Sequence, residues 1–142
     1  MPTIQRIAPC LWFDDQAEQA ATFYTGIFPN SEIGSIARYG EVGFEFHGGP
    51  VFTFNEAISL QVFCETQEEV DHYWEKLSEG GDEGAQQCGW LKDKFGVSWQ
   101  VVPTIVPEMV KDPESEKSQR AMAAIFQMKK LDIAEIERAY HG

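Results

Sequence analysis

The chain has 142 residues, of which 43% are hydrophobic and 13% aromatic, so it is long enough to bury a core and too apolar to be disordered. Its 11 Lys and Arg against 23 Asp and Glu give a formal net charge of −12, which would repel nucleic-acid phosphates and anionic lipid. We therefore expect neither a nucleic acid nor a membrane as partner. No apolar run approaches the ~20 residues of a membrane-spanning helix.

The first half of the chain predicts a strand, a helix and more strands. "IQRIAPCLWF" (4–13) is rich in β-branched and aromatic residues, as strands are. A helix follows over 14–31, where Asp15 and Glu18 resemble a capping box and Pro29-Asn30 is a stop signal. Three short strands are predicted next: "EIGSIARYG" (32–40), "VGFEFHGG" (42–49) and "VFTF" (51–54).

The second half repeats this order. "AISLQVFCE" (57–65) predicts a strand, and 66–81 predicts a helix with Thr66 and Glu69 in capping-box register. A strand pair follows, "GAQQCGWLKD" (84–93) and "VSWQVVP" (97–103), turned at Lys94-Phe95-Gly96. We expect Trp90 and Trp99 to come near each other across this hairpin.

A shift of 50 residues superimposes the two halves, because Ala20 then falls on Val70, and Ile27 on Leu77. Each copy is too small to bury its own sheet face, so the two are expected to share one core. The tail has no strand signal and predicts a helix around Ala121–Met128 and a last one capped by Asp132 and Glu135. We expect it to pack on the chain's own sheet or on a second subunit.

These elements predict an α+β fold in one domain, 1–142. It would hold a first module over 3–54, a second over 55–104 and a helical extension over 105–142. The three cysteines (Cys10, Cys64, Cys88) are odd in number and lack CxxC spacing, and the N-terminus lacks a signal-peptide pattern. We therefore expect reduced thiols in a cytoplasmic protein.

The residues support little established chemistry. A binding site for a nucleotide-like methyl donor normally has a glycine-rich turn between a strand and a helix, and the sequence has none in that place. No Ser/His/Asp arrangement stands out either. A metal site would have to draw on Glu45, His47, Glu56 and Gln100, with Cys10 and Cys88 as less favoured candidates, and no two of these have the spacing of a known ligand pair. We therefore predict no metal and no cofactor.

Cys88 allows two interpretations. Lys92 and Lys94 are close in sequence and would favour a thiolate, whereas no histidine is near enough in sequence to act as its base. The alternative, which we favour, is a small buried hydrophobic residue, as most free cysteines are.

Several motifs in order resemble one family: "PCLWFDDQAEQAATFYTGIFPNS", "GGPVFTFNEAIS", "CGWLKDKFGVSWQVVP" and "QMKKLDIAEIERAY". Together they are similar to the PhnB-like branch of the vicinal oxygen chelate superfamily, which includes glyoxalase I, bleomycin resistance proteins and extradiol dioxygenases. Some members carry the label 3-demethylubiquinone-9 3-methyltransferase. The resemblance covers nearly the whole chain and implies two βαβββ modules in a cup-shaped mixed sheet around a pocket, usually completed by dimerisation.

The resemblance also indicates where a metal-dependent relative would place its ligands. Here those positions hold Pro9 or Cys10, then Ser59, and Gln100 in place of a glutamate, and a neutral amide is a weak ligand for a divalent ion. Relatives usually carry a further strand between "ARYG" and "EVGFEFHGG". Here Gly40 runs directly into Glu41, so either the first module lacks a strand or residues of the protein are left out of this sequence.

The leading hypothesis is a metal-free homodimeric protein that binds a small, partly aromatic or amphipathic molecule. Because strand residues alternate, about half of the predicted pocket residues must point away from the pocket, and Trp99 and Gln100 cannot both point inward. The alternatives are a metal-dependent lyase, isomerase or dioxygenase, a resistance protein that sequesters a cationic drug, and an interaction module built on the tail. The predicted pocket residues are Trp12, His47, Asn55, Glu56, Cys88, Trp90, Trp99 and Gln100.

Overall fold

The computed structural model describes residues 5–38, Gly40 and residues 53–142. The chain divides into two compact units, Met1–Phe52 and Thr53–Gly142. His47 and the strand predicted over 42–49 lie outside the described residues. Among the helices of the described residues, none is both long enough and apolar enough to span a bilayer.

The first unit contains helix α1, Ala17–Ile27, which buries Ala20 and Ile27. Gln16 occupies the N-cap without a side-chain capping bond, so the capping box predicted for Asp15 and Glu18 is wrong. The helix begins one residue too late for Asp15 to cap it, and the Glu18 carboxylate instead pairs with Arg38 at 2.8 Å. The predicted stop is correct, because the helix ends before Phe28 and Asn30 takes a positive φ of 56°.

The strands predicted over 4–13 and 32–40 are not formed in the described parts of those segments. β-branched and aromatic residues favour an extended backbone, but a strand exists only when a neighbouring strand accepts and donates its hydrogen bonds. The α+β class is confirmed, and the sheet found among the described residues has three strands.

The sheet of the second unit is formed by β1 (Ser59–Cys64), β2 (Trp90–Lys92) and β3 (Ser98–Pro103), in the order β1-β3-β2. β1 is parallel to β3, and β2 is antiparallel to it. The strand predicted over 84–93 is much shorter than expected. Cys88 and Gly89 have φ angles of 52° and 85°, which break the extended backbone, and Glu83–Ala85 forms a 3-10 turn instead.

Helix α2 (Gln67–Ser78) packs on one face of this sheet. Its start matches the sequence prediction, because the Thr66 hydroxyl accepts a hydrogen bond from the Glu69 N–H at 3.2 Å. The helix buries Val70 and Leu77, the apolar stripe that the sequence repeat marks.

The tail forms α3 (Ile105–Met109), α4 (Glu116–Phe126) and α5 (Ile133–His141). The Asp132 side chain caps α5 by accepting from the Glu135 N–H, as the sequence predicts. The tail packs on its own chain through a buried cluster and through backbone bonds from Cys88 to Met128 (2.8 Å) and from Gly89 to Lys129 (2.7 Å). The cluster residues are Ala121, Ile125, Leu131 and Ile136.

Candidate functional site

Strand alternation gives the sheet two chemically different faces. One face packs against α2 and carries buried apolar residues such as Leu91 and Val101. The opposite face, called here the Gln100 face, carries polar and aromatic side chains, several of which are partly exposed. By register, its strand residues are Ser59, Gln61, Phe63, Trp90, Lys92, Ser98, Gln100 and Val102.

Gln100 occupies the middle strand of this face, opposite Gln61 on one side and Trp90 on the other. Its side-chain N–H donates to the Ser59 hydroxyl at 2.8 Å, and its carbonyl oxygen accepts from the Gln61 amide at 3.5 Å. These bonds fix the orientation of the Gln100 side-chain amide, with its nitrogen toward Ser59 and its oxygen toward Gln61. The centre of the face is therefore an ordered, uncharged row of hydrogen-bonding groups across two strands.

Lys92 brings a positive charge to the edge of the same face. Its ammonium forms an ion pair with the Glu56 carboxylate, and the Lys92 side chain is 25% exposed whereas that of Glu56 is 61% exposed. The hydrogen bond from Lys92 lowers the pKa of Glu56 below its ordinary value, so this carboxylate stays ionised to a lower pH than an unpaired glutamate. Asn55, also predicted for the pocket, is exposed and accepts from the Ala57 N–H at 2.9 Å in the turn before β1.

Ser98 lies beside Lys92 and Ser59 in the sheet register. It is only 2% exposed, and its hydroxyl has no hydrogen-bond partner among the residues that the structure describes. A buried polar group without a partner costs about 1–3 kcal/mol. Such a group commonly marks a position that a ligand or an ordered water satisfies.

The structure moves Trp99 from the predicted pocket to the core. Trp99 is 6% exposed and faces α2, opposite in direction to Gln100. Its indole N–H donates to Asp93 at 2.9 Å. Trp90 pairs with Gln100 whereas Trp99 pairs with Leu91, so the two indoles lie on opposite faces and the contact expected across the hairpin is wrong.

Cys88 borders a shallow groove of about 380 Å³, whose other lining residues are Ala85, Gln87, Trp90 and Phe126. The residue is partly buried and packs against the tail cluster, which agrees with the small-hydrophobe interpretation. Phe126 is 60% exposed and did not enter the sequence prediction. Phe126 directly follows buried Ile125 in the sequence. Its position beside the hairpin depends on how the tail folds, which the sequence pattern does not show.

Cys10, Trp12 and Cys64 are not among the strand residues that form the Gln100 face. Cys64 is fully buried, and burial raises the pKa of its thiol to about 11, so it is protonated at neutral pH. Cys10 and Trp12 lie in the first unit, where Cys10 is exposed and Trp12 is 48% exposed.

The donors on the Gln100 face do not fit a divalent ion. Ser59 and Gln100 supply neutral oxygens and nitrogen that already bond to each other, whereas divalent ions select carboxylates and imidazoles. The described residues contain no cluster of three or more His, Cys, Asp or Glu side chains within ligating reach. Glu45 and His47 lie outside the described residues, so the hypothesis that includes them stays a prediction.

Six of the eight residues of this face are absent from the predicted pocket: Ser59, Gln61, Phe63, Lys92, Ser98 and Val102. Period-two counting outward from Gln100 would have found Ser98 and Val102, but not the neighbours on β1 and β2, because their register depends on strand pairing.

Two comparisons with known proteins give matches. A family model described as 3-demethylubiquinone-9 3-methyltransferase matches residues 5–46 and 42–102. Among solved structures, a PhnB protein from Bacillus cereus that carries the same label is 35% identical, with a TM-score of 0.63. The match covers 70% of this chain and 100% of that one. No curated protein matches significantly.

Proposed function

Because the chain belongs to the PhnB-like 3-demethylubiquinone-9 3-methyltransferase family, which has the vicinal oxygen chelate fold, we propose that it binds a small organic molecule on the Gln100 face without a tightly held divalent ion. In this family fold the pocket is formed on a sheet, and the Gln100 face is the side of the described sheet that α2 leaves uncovered.

The observation that carries the proposal is the fixed amide of Gln100. It occupies the last strand of its module, where a metal-dependent relative would place a carboxylate, and its hydrogen bonds to Ser59 and Gln61 hold it in one orientation. An oriented amide and hydroxyl row beside Trp90 provides polar groups that position a ligand and an indole that packs on it.

Methyl transfer, which the family label names, is not part of the proposal. A nucleotide-like methyl donor is normally bound at a glycine-rich turn between a strand and a helix. In the described sheet, β1 is followed by Glu65 and Thr66 before α2, and β3 is followed by Thr104 before α3. Gly80 and Gly81 instead follow the end of α2, where glycine serves as a helix terminator.

The proposal includes a cytoplasmic homodimer. The exposed Ile58 (76%) and Phe63 (52%) leave apolar surface at β1 that a second copy would cover, and three free cysteines suit a reducing compartment. Light scattering of the purified protein is expected to give twice the mass of one chain. A single-chain mass at micromolar concentration would contradict the dimer.

The binding proposal is tested with a fragment library measured by ligand-observed NMR. Fragments that bind the wild-type protein are expected to lose at least tenfold in affinity in Gln100→Ala, because that change removes the oriented amide. Gln119→Ala is the matched control, since Gln119 is an exposed glutamine on α4. It should bind these fragments as the wild type does.

Two results would contradict the proposal. One is a set of fragments whose affinity is the same in Gln100→Ala and wild type, which would place binding elsewhere. The other is a stoichiometric divalent ion in protein prepared without an affinity tag and without chelators, measured by elemental mass spectrometry.

A further inference from the structure

The charge on the Gln100 face indicates a class of ligand. Among the eight strand residues that form this face, Lys92 is the one with a charged side chain. It lies next to Ser98, two residues along β2 from Trp90. The chain has a formal net charge of −12, so its overall field does not attract anions. Attraction of an anion to this face would therefore have to come locally, from Lys92.

The partner of Lys92 can be exchanged. Glu56 lies outside the strands, just before β1, and its side chain is 61% exposed, whereas the Lys92 side chain is 25% exposed. The exposed Glu56 carboxylate binds the Lys92 ammonium weakly, since water competes for both charges. A carboxylate on a ligand could therefore replace Glu56 without leaving Lys92 unpaired.

Ser98 supplies the second, independent observation. Its hydroxyl is buried and has no hydrogen-bond partner within the described part of the chain, and the register places Ser98 directly across from Lys92 and Ser59 on the same face. A hydroxyl can donate to an oxyanion that a neighbouring ammonium already attracts. The residue with the unpartnered hydroxyl and the residue that carries the cation are therefore cross-strand neighbours on one face.

Trp90 places an aromatic ring on the same strand face as Lys92. The two residues are two positions apart, so their backbone positions are separated by about 7 Å along the strand. An indole and an ammonium on one face complement a ligand that carries both an aromatic ring and a carboxylate.

We propose that the Gln100 face is selective for small aromatic carboxylates, with Lys92 binding the carboxylate in exchange for Glu56 and Ser98 donating to it. This inference rests on the proposed binding function and names its ligand class. Gln100 and Ser59 would then orient any further polar group on the ring.

The test uses sodium benzoate as the probe and benzyl alcohol as its neutral counterpart, with dissociation constants from NMR titration of the full chain. Wild type is expected to bind benzoate at least tenfold more tightly than benzyl alcohol. Lys92→Met should lose at least tenfold in benzoate affinity. Lys94→Met removes an exposed ammonium from the adjacent turn and is the matched control, expected to change affinity by less than twofold.

Two further variants separate the proposal from a general loss of structure. Glu56→Gln removes the competing carboxylate and should raise benzoate affinity at least threefold. Ser98→Ala deletes a hydroxyl without a partner, so the fold is expected to keep or gain stability while benzoate affinity falls at least threefold.

Equal affinity for benzoate and benzyl alcohol, or benzoate binding that is unchanged in Lys92→Met, would overturn the ligand class. Glu56→Gln binding benzoate more weakly than wild type would also overturn it. Each of these results leaves the binding proposal intact, since that proposal is tested separately by the dependence of fragment binding on Gln100 and by the metal content of the protein.

Discussion

Asp93 shows how one buried carboxylate organises the hairpin. Its side chain is 2% exposed, and one oxygen accepts from the Phe95 N–H at 2.8 Å and the Val97 N–H at 3.1 Å. The other oxygen accepts from the Trp99 indole at 2.9 Å. The aspartate thus closes the turn and holds Trp99 in the core, so its role in the hairpin is structural.

Asp93→Asn is expected to lower the free energy of unfolding by about 2 kcal/mol, because an amide cannot accept all three hydrogen bonds and puts an N–H2 against one donor. Urea unfolding followed by tryptophan fluorescence measures this. Asp112→Asn is the matched control, since Asp112 makes a similar bond to the Glu114 N–H but is exposed. Equal losses in the two variants would show that the burial of Asp93 is unimportant.

At the scale of elements, helices followed the sequence more closely than strands did. The caps of α2 and α5 are the residues that the pattern indicates, because a cap bonds within three residues of itself. β2, in contrast, is three residues long where ten were predicted. Its start depends on the positive φ angles of Cys88 and Gly89, where the backbone turns to bond with the tail.

Gly89→Ala tests this junction between β2 and the tail. A Cβ at Gly89 would lie 3.1 Å from Leu131 Cδ1 and 3.2 Å from the Val101 carbonyl oxygen. Gly96→Ala is the control, because Gly96 also has a positive φ (89°) but no atom within 4 Å of the position that the added methyl group would take. We expect each variant to lose about 1 kcal/mol for its backbone conformation.

Gly89→Ala should lose about 1–2 kcal/mol beyond Gly96→Ala, since Leu131 must shift to make room. Thermal unfolding by calorimetry compares the two variants directly. If both melt at the same temperature, the tail does not constrain the hairpin at this point.

At the scale of the whole molecule, the tail is part of the second unit. Gln67 of α2 donates to the Leu131 carbonyl at 3.1 Å and accepts from the Ile133 N–H at 2.8 Å, and Lys130 pairs with Asp71 at 2.8 Å. These contacts connect residues that are far apart in the sequence. The tail is thus bound to α2 as well as to the hairpin.

Leu131→Ala is expected to lower the free energy of unfolding by about 3 kcal/mol, because Leu131 is 2% exposed in the tail cluster and its removal leaves a cavity. Phe126→Ala is the control and should lose less than about 1 kcal/mol, since Phe126 is 60% exposed. Chemical denaturation monitored by circular dichroism measures both. A loss for Leu131→Ala as small as that for Phe126→Ala would argue against a tail that supports the sheet.

The amino-acid sequence determined the α+β class, the second-half strand-helix-strand order, the last two tail helices and the family, because these depend on short-range periodicity, caps and ordered motifs. It also indicated that Trp99 and Gln100 must face opposite ways, without saying which one faces the core. That choice was made by tertiary structure, since α2 covers one face and Asp93 holds the indole there.

Register is the second thing that only the fold decided. Pairing of β1 with β3 sets Ser59 and Gln61 around Gln100, and pairing of β2 sets Lys92 beside Ser98. These partners lie far apart in sequence, and a shift of one residue would turn every side chain of a strand to the other face. The sequence thus supplies the residue types of the candidate site, and strand pairing brings them together on one face.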